Sequence, residues 1–144
     1  MALNFHKLIH VQFRHFLLML RIKYLKFMYG MHIDDTVRIS LKAKLDYTNP
    51  KGINIDAGSY IAFGAVILTH DMSRNVSRSV IIGKNCFIGA NSIILPGVVL
   101  GDCTVVAAGA VVTKSFSGNV IIAGNPAKII KENVMTTYLG ILQE

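Results

Sequence analysis

From Ile55 onward, aliphatic residues recur every six positions. Ile55, Ile61 and Ile67 come first; after an interruption the beat resumes at Ile82, Ile88, Ile94, Leu100, Val106 and Val112. The residue after each is often Gly, Ala or Asp, as at Asp56, Ala62, Gly83, Gly89, Gly101 and Ala107. The residue four beyond is usually small, as at Ser59, Ala65, Cys86, Ser92, Val98, Thr104 and Ala110. The same beat is present earlier at Ile33, Ile39 and Leu45, before "DYTNPKG" shifts its phase by four. A period of six fits neither an α-helix nor a two-faced strand. It fits a solenoid with a triangular coil: three short strands per coil of about 18 residues, stacked so that neighbours bury a continuous core. The aliphatic residue points inward on each side, and the small residue fits near a corner. The spacing therefore predicts an all-β solenoid and leaves its handedness open.

The first thirty residues obey a different rule. Residues 1–29 contain no Gly or Pro, and Gly30 closes the segment. At about 100° per residue, Lys7, His10, Arg14 and Arg21 share one narrow sector, and Phe5, Ile9, Phe13, Phe16 and Leu20 lie broadly opposite. That pattern predicts an amphipathic helix. Lys23 and Lys26 leave the polar sector, which predicts a break or bend near Ile22. The apolar face has two uses. It packs on the rest of the protein or a neighbouring subunit, or it lies on an anionic membrane with its cations at the headgroups. The chain thus divides into a helical segment over 1–30, a solenoid domain over 31–131 and a short C-terminal tail over 132–144.

Bulk properties narrow the function. The chain has 144 residues, enough for one domain with a real core. Its mean hydropathy is +0.48, yet no stretch approaches the ~18 uncharged apolar residues that span a bilayer. The basic N-terminus shows no leader-peptide pattern. The expectation is a cytoplasmic protein, with peripheral contact to the inner face of the cell membrane if the helix binds lipid. Cys86 and Cys103 are the only cysteines, and their spacing suits neither a redox nor a zinc motif. They read as small buried hydrophobes. The net charge of +7 is concentrated in residues 1–30, which hold five basic residues and no acid. The chain carries no nucleic-acid motif, and His6, His10 and His15 share no helix face, so neither nucleic acid nor a metal is expected.

"IIGKNCFIGANSIILPGVVLGDCTVVAAGAVVTK" (81–114) followed by "IIAGNPAKIIK" (121–131) resembles the hexapeptide-repeat acyltransferases, in particular the maltose/galactoside O-acetyltransferase branch found in surface-polysaccharide biosynthesis. The resemblance covers about residues 33–131. It implies a left-handed parallel β-helix, an exception to the usual right-handed crossover. It also implies a homotrimer with active sites at the subunit interfaces, and acetyl transfer from acetyl-CoA to a sugar hydroxyl of a glycan acceptor. After "VVTK" the family often has an acidic residue and prolines; here "SFSGN" (115–119) stands instead, which leaves the shape of that loop open.

Beyond residue 33, His70 is the only histidine. It sits immediately before the longest break in the repeat, "DMSRNVSRSV" (71–80), and a loop leaving a rigid coil makes a natural pocket wall. The resemblance places a catalytic histidine at this coil. Imidazole, with an ordinary pKa of about 6.5, suits a general base for a hydroxyl attacking a thioester. Its second nitrogen needs a partner to fix tautomer and orientation. Similar enzymes use an Asn or a carboxylate one coil earlier, and Asp46 and Asn49 are both candidates, Asp46 being favoured. A turn-capping role before Pro50 is the structural alternative for either.

The resemblance also suggests where acetyl-CoA lies. Ala90 and Ala108 match residues whose backbone meets the pantetheine arm. Thr113 and Lys114 match positions near the adenosine end, and Lys128 and Lys131 match basic residues that meet phosphate. Phe87 matches an aromatic near the thioester; packing between coils is its alternative. A backbone N–H near Ala90 is the place to seek an oxyanion donor. Arg74 and Arg78 read as solvated loop charges, with an acidic sugar or a nucleotide diphosphate as the alternative partner. The main alternative function is N-acetylation of an amino sugar or a nucleotide-linked amino sugar. A solenoid carbonic anhydrase would need three zinc-binding histidines, and a scaffold without catalysis is the remaining class.

Overall fold

The computed structural model describes residues 2–143, with side chains from Lys7 onward. The predicted roles of Phe5 and His6 on the helix, and Glu144 of the tail, lie outside the described residues.

The hexad columns are the packing columns. Inside the domain the chain runs through three parallel sheets in turn. The first holds His32–Ile33, Ile53–Ile55, Val80–Ile82 and Val99–Leu100. Arg38–Ile39, Tyr60–Ile61, Phe87–Ile88, Val105–Val106 and Val120–Gly124 pair in the second. Lys44–Leu45, Val66–Ile67, Ile93–Ile94 and Val111–Val112 form the third. The registers align like with like: Ile33 with Ile55, Ile55 with Ile82, and Ile82 with Leu100 on the first sheet. Ile39, Ile61, Ile88, Val106 and Ile122 stack on the second, and Leu45, Ile67, Ile94 and Val112 on the third. Every member of these columns is buried. A core of aliphatic residues, mostly Ile and Val, follows directly from the six-residue spacing.

Small residues hold the corners because backbone passes close behind them. The buried Ser59 hydroxyl donates to the Gly83 carbonyl (2.7 Å) and accepts from the Cys86 N–H (2.9 Å). Between the second and third sheets, Gly64, Asn91 and Gly109 all take positive φ, a conformation open to Gly and tolerated by Asn. Their N–H groups bond the carbonyls of Lys42, Phe63 and Ala90 in the preceding coils. Cys86 and Cys103 are both buried and free, and burial pushes the Cys86 thiol up to about 12.

The two irregularities of the repeat are absorbed at one corner, after the third sheet. The extra residues of "DYTNPKG" form a single 3-10 turn, Pro50–Gly52. The 71–80 break folds as a small hairpin, with His70–Asp71 antiparallel to Val76–Ser77. At the far end, Ala127–Glu132 turns back antiparallel to Val120–Gly124. The tail then climbs the stack: Thr136 donates to the Asn85 carbonyl (2.6 Å), the Leu139 N–H to Gly58 (2.6 Å), and the Tyr138 hydroxyl to Thr36 (3.1 Å).

Helix α1 (Ala2–Tyr29) corrects two expectations. It runs unbroken through Ile22, and Gly30, at φ +66, ends it by returning its N–H to Lys26 (3.1 Å). The face that meets the domain is Leu18, Ile22 and Leu25, not the stripe of Ile9, Phe13, Phe16 and Leu20, which is exposed. Two cations explain the orientation. Arg21 donates to the carbonyls of Ser40 and Ala43, the latter at 2.8 Å, and Lys26 pairs with Asp35 at 2.7 Å. The polar sector therefore turns toward the coil, where backbone carbonyls accept from Arg21. Among the described residues no helix is long and apolar enough to cross a membrane.

Candidate active site

The corner after the third sheet carries His70 on the second coil and Asp46 directly before it, on the first. Leu45 and Ile67 occupy the same column, so the residues that follow them emerge on the same edge. Asp46 is almost wholly buried, and its two oxygens have separate duties. Oδ1 accepts the Thr48 N–H (2.9 Å), closing the turn. Oδ2 accepts the N–H groups of Thr69 (2.9 Å) and His70 (3.0 Å) and pairs with Nδ1 of the His70 ring. Burial opposes the charge on this carboxyl. Donation from the His70 ring and from the three backbone N–H groups outweighs it and holds the group at about 2. Asp46 is thus an anion at neutral pH, both capping its own turn and fixing the imidazole. Among the described residues no hydrogen bond engages Nε2 of His70, whose side chain is 25% exposed. The ring therefore presents one nitrogen at the surface and anchors the other, the arrangement a general base requires.

Asn49 serves the same corner differently. Its Nδ2 donates to the Thr69 carbonyl (3.1 Å), and its own carbonyl accepts the Thr69 hydroxyl (2.7 Å). It locks the residue before His70 and leaves the imidazole alone. Asp71 turns away from His70: its carboxylate accepts from Ser73 and from Arg74 Nε (2.6 Å), which holds it well below the usual carboxylate range. Arg74 is therefore an ion-pair partner within the hairpin rather than a lone loop charge.

The residues expected at acetyl-CoA fall into four places. Thr113 and Lys114 lie on the His70 edge, two coils further on, both exposed; Lys114 sits 5.7 Å from the Phe116 ring centre. Ala90 and Ala108 occupy the other edge of the third sheet, stacked through the Gly109 N–H to the Ala90 carbonyl (2.8 Å). Lys128 and Lys131 stand exposed on the last strand, opposite Ala123 and Ile121. Phe87 is on the outer face of the second sheet, its ring 5.4 Å from that of Tyr60. A single chain therefore does not gather His70, Ala90 and Phe87 at one edge. The described residues contain no group of three or more His, Cys, Asp or Glu suited to a metal. The contribution of Thr69, whose N–H and carbonyl tie Asp46 and Asn49 together, was not foreseen; its position between the last hexad residue of the coil and His70 was the available signal.

Comparison with known proteins bears on the fold and the repeat. Residues 79–114 match the family model described as the hexapeptide repeat of succinyl-transferase. Over 92 residues the chain is 35% identical to the galactoside O-acetyltransferase of Escherichia coli K12, covering 60% of this chain and 45% of that one. Among solved structures, a maltose O-acetyltransferase from Clostridium difficile 630 superimposes with a TM-score of 0.61 at 25% identity, over 78% of this chain and 74% of that one. A galactoside acetyltransferase in complex with coenzyme A gives the same TM-score and identity, over 78% and 70%. The chain spans less than two thirds of the length of the curated relatives it matches. The hexad columns, the corner residues and these matches together make the chain a member of the hexapeptide-repeat acyltransferase family.

Proposed function

We propose that the protein transfers an acetyl group from acetyl-CoA to a sugar hydroxyl during assembly of a surface polysaccharide. The observation that carries this reading is the His70–Asp46 pair: an anchored imidazole with one free nitrogen, at the mouth of the loop that interrupts the coil. In the proposed step, His70 Nε2 removes the proton as the hydroxyl oxygen attacks the thioester carbonyl carbon. The tetrahedral intermediate then collapses, the C–S bond breaks, and the imidazolium returns the proton to the departing thiolate. Asp46 stabilises the transient imidazolium, and no covalent acyl-enzyme is required when both substrates are bound together.

The fit of acetyl-CoA rests on chemistry already present. Ala90 and Ala108 leave the backbone approachable at a corner, while Lys114, Lys128 and Lys131 offer exposed cations for phosphate. In our reading the coil is a left-handed β-helix and the working unit a homotrimer. Its subunit interfaces bring the His70 edge of one copy to the alanine edge of the next. The outward stripe of α1 (Ile9, Phe13, Phe16, Leu20) is the surface available to an anionic membrane, with Lys23 beside it. Liposome flotation with and without residues 1–29 tests that contact; equal flotation removes it. An amine acceptor is distinguished by matched hydroxyl and amino sugars.

Titration calorimetry with acetyl-CoA, comparing the wild type with Lys128→Ala, tests the donor site. Binding that the substitution weakens is the expected result. A folded sample that binds no acetyl-CoA contradicts the proposal.

A further inference from the structure

Three of the five tyrosines gather beside the His70 corner. Tyr47 directly follows Asp46, is half exposed, and places its ring 4.7 Å from that of Tyr29, tilted by 55°. Tyr29 in turn meets Tyr24, edge to face, at 5.7 Å. Tyr24 is also half exposed. The Tyr24 side chain raises the Tyr29 phenol above its ordinary range. The three rings form a short ladder that climbs from the turn holding His70 onto the last turns of α1.

Position gives the ladder a meaning. Every residue proposed for acetyl-CoA lies from Phe87 onward, on the third coil or beyond, whereas His70 is on the second. The donor therefore approaches His70 from the later coils, and the first-coil side is left for the acceptor. That side is where Tyr47, Tyr29 and Tyr24 stand. An aromatic ring with a polar tip suits a sugar: the C–H face of a pyranose packs on the ring while its hydroxyls meet the phenol and water. Centroid steps of 4.7 and 5.7 Å are on the scale of one sugar ring. Simple packing explains one face of Tyr29 but not tyrosine at both open ends.

We infer that Tyr47, Tyr29 and Tyr24 form an acceptor subsite for a glycan chain, so that the substrate is an oligosaccharide or polysaccharide and not a free monosaccharide. The inference rests on the proposed acetyltransferase activity and adds the size class of its acceptor. Tyr47 lies next to the reacting sugar, and Tyr29 and Tyr24 carry the units beyond it.

The test is the rate of acetyl transfer to glucose-, galactose- and sialic acid-based acceptors, each as monosaccharide and tetrasaccharide. The chain has no tryptophan, so tyrosine emission reports binding of the same probes directly. The expected result for the wild type is a kcat/KM at least about tenfold higher for the tetrasaccharide of the preferred series. Tyr47→Ala brings that ratio close to one, Tyr24→Ala lowers it partly, and Tyr47→Phe, which keeps the ring, retains most of it. A wild-type ratio near one, or a ratio that Tyr47→Ala leaves unchanged, overturns the inference while the acetyltransferase reading stands. Transfer to none of these sugars by a protein that binds acetyl-CoA overturns that reading, and the acceptor subsite with it.

Discussion

Helix α1 is richer in apolar residues than the coils, yet it buries fewer of them, because the two follow opposite logics. In the coils each hexad residue lies over its equivalent in the coil before, so Ile39, Ile61, Ile88 and Val106 are all buried. Among the described residues of α1, Leu18, Ile22 and Leu25 are buried against the domain and Tyr29 packs on it in part, while Phe13, Phe16 and Leu20 remain in the open. A repeating structure supplies every inward position with a partner of its own kind. A single helix on the end of the stack receives only the area that the first coil offers.

Substitutions sharpen that contrast. The largest effect on stability is expected at Ile88, which has a coil on either side. Ile88→Ala should cost about 3–5 kcal/mol in urea unfolding, and a cost below about 1 kcal/mol would break the account of the columns. Leu25→Ala, in the core but with the domain on one side only, should cost about 2–3 kcal/mol; a loss clearly above that of Ile88→Ala would contradict the one-sided packing. Asp46 adds a pH dependence. Its carboxyl is held at about 2 in the folded chain, below its ordinary value. It therefore contributes stability in full above the ordinary carboxylate range, and this is lost as pH falls through the range toward 2. Asp46→Asn should be less stable by about 1–2 kcal/mol at pH 7, and the gap should close on acidification. A gap that persists at pH 2 would contradict the charge-based explanation. The smallest effect is expected on the open stripe: Phe13→Ala should stay within about 0.5 kcal/mol. A loss above about 2 kcal/mol would show that another surface covers Phe13 in the assembled protein.

The same contrast decides what was legible in the sequence. The buried columns could be read residue by residue because the hexad repeats the same constraint coil after coil. The corner chemistry was half legible: His70 stood out as the lone imidazole before a break, and Asp46 and Asn49 as candidates one coil earlier. Which of them meets the ring depended on how "DYTNPKG" absorbs its extra residues, a matter of one 3-10 turn that no periodicity records. The helix was legible as a helix but not in its facing. Apolar residues occur on both sides of it, and the choice was made by Arg21 reaching the carbonyls of Ser40 and Ala43, partners that exist only once the first coil has formed. The place of Phe87, on the second sheet beside Tyr60, likewise depended on which face each coil turns outward.

The central claim is that His70 performs the chemistry while other residues hold the donor. The most direct measurement is turnover of acetyl-CoA with a glycan acceptor by His70→Ala, alongside acetyl-CoA affinity by calorimetry on the same sample. The account predicts kcat lower by about 10²–10⁴-fold with Kd within about twofold of the wild type. Turnover retained with affinity intact would contradict it, and would leave the Asp46–His70 pair as a structural clasp for the loop.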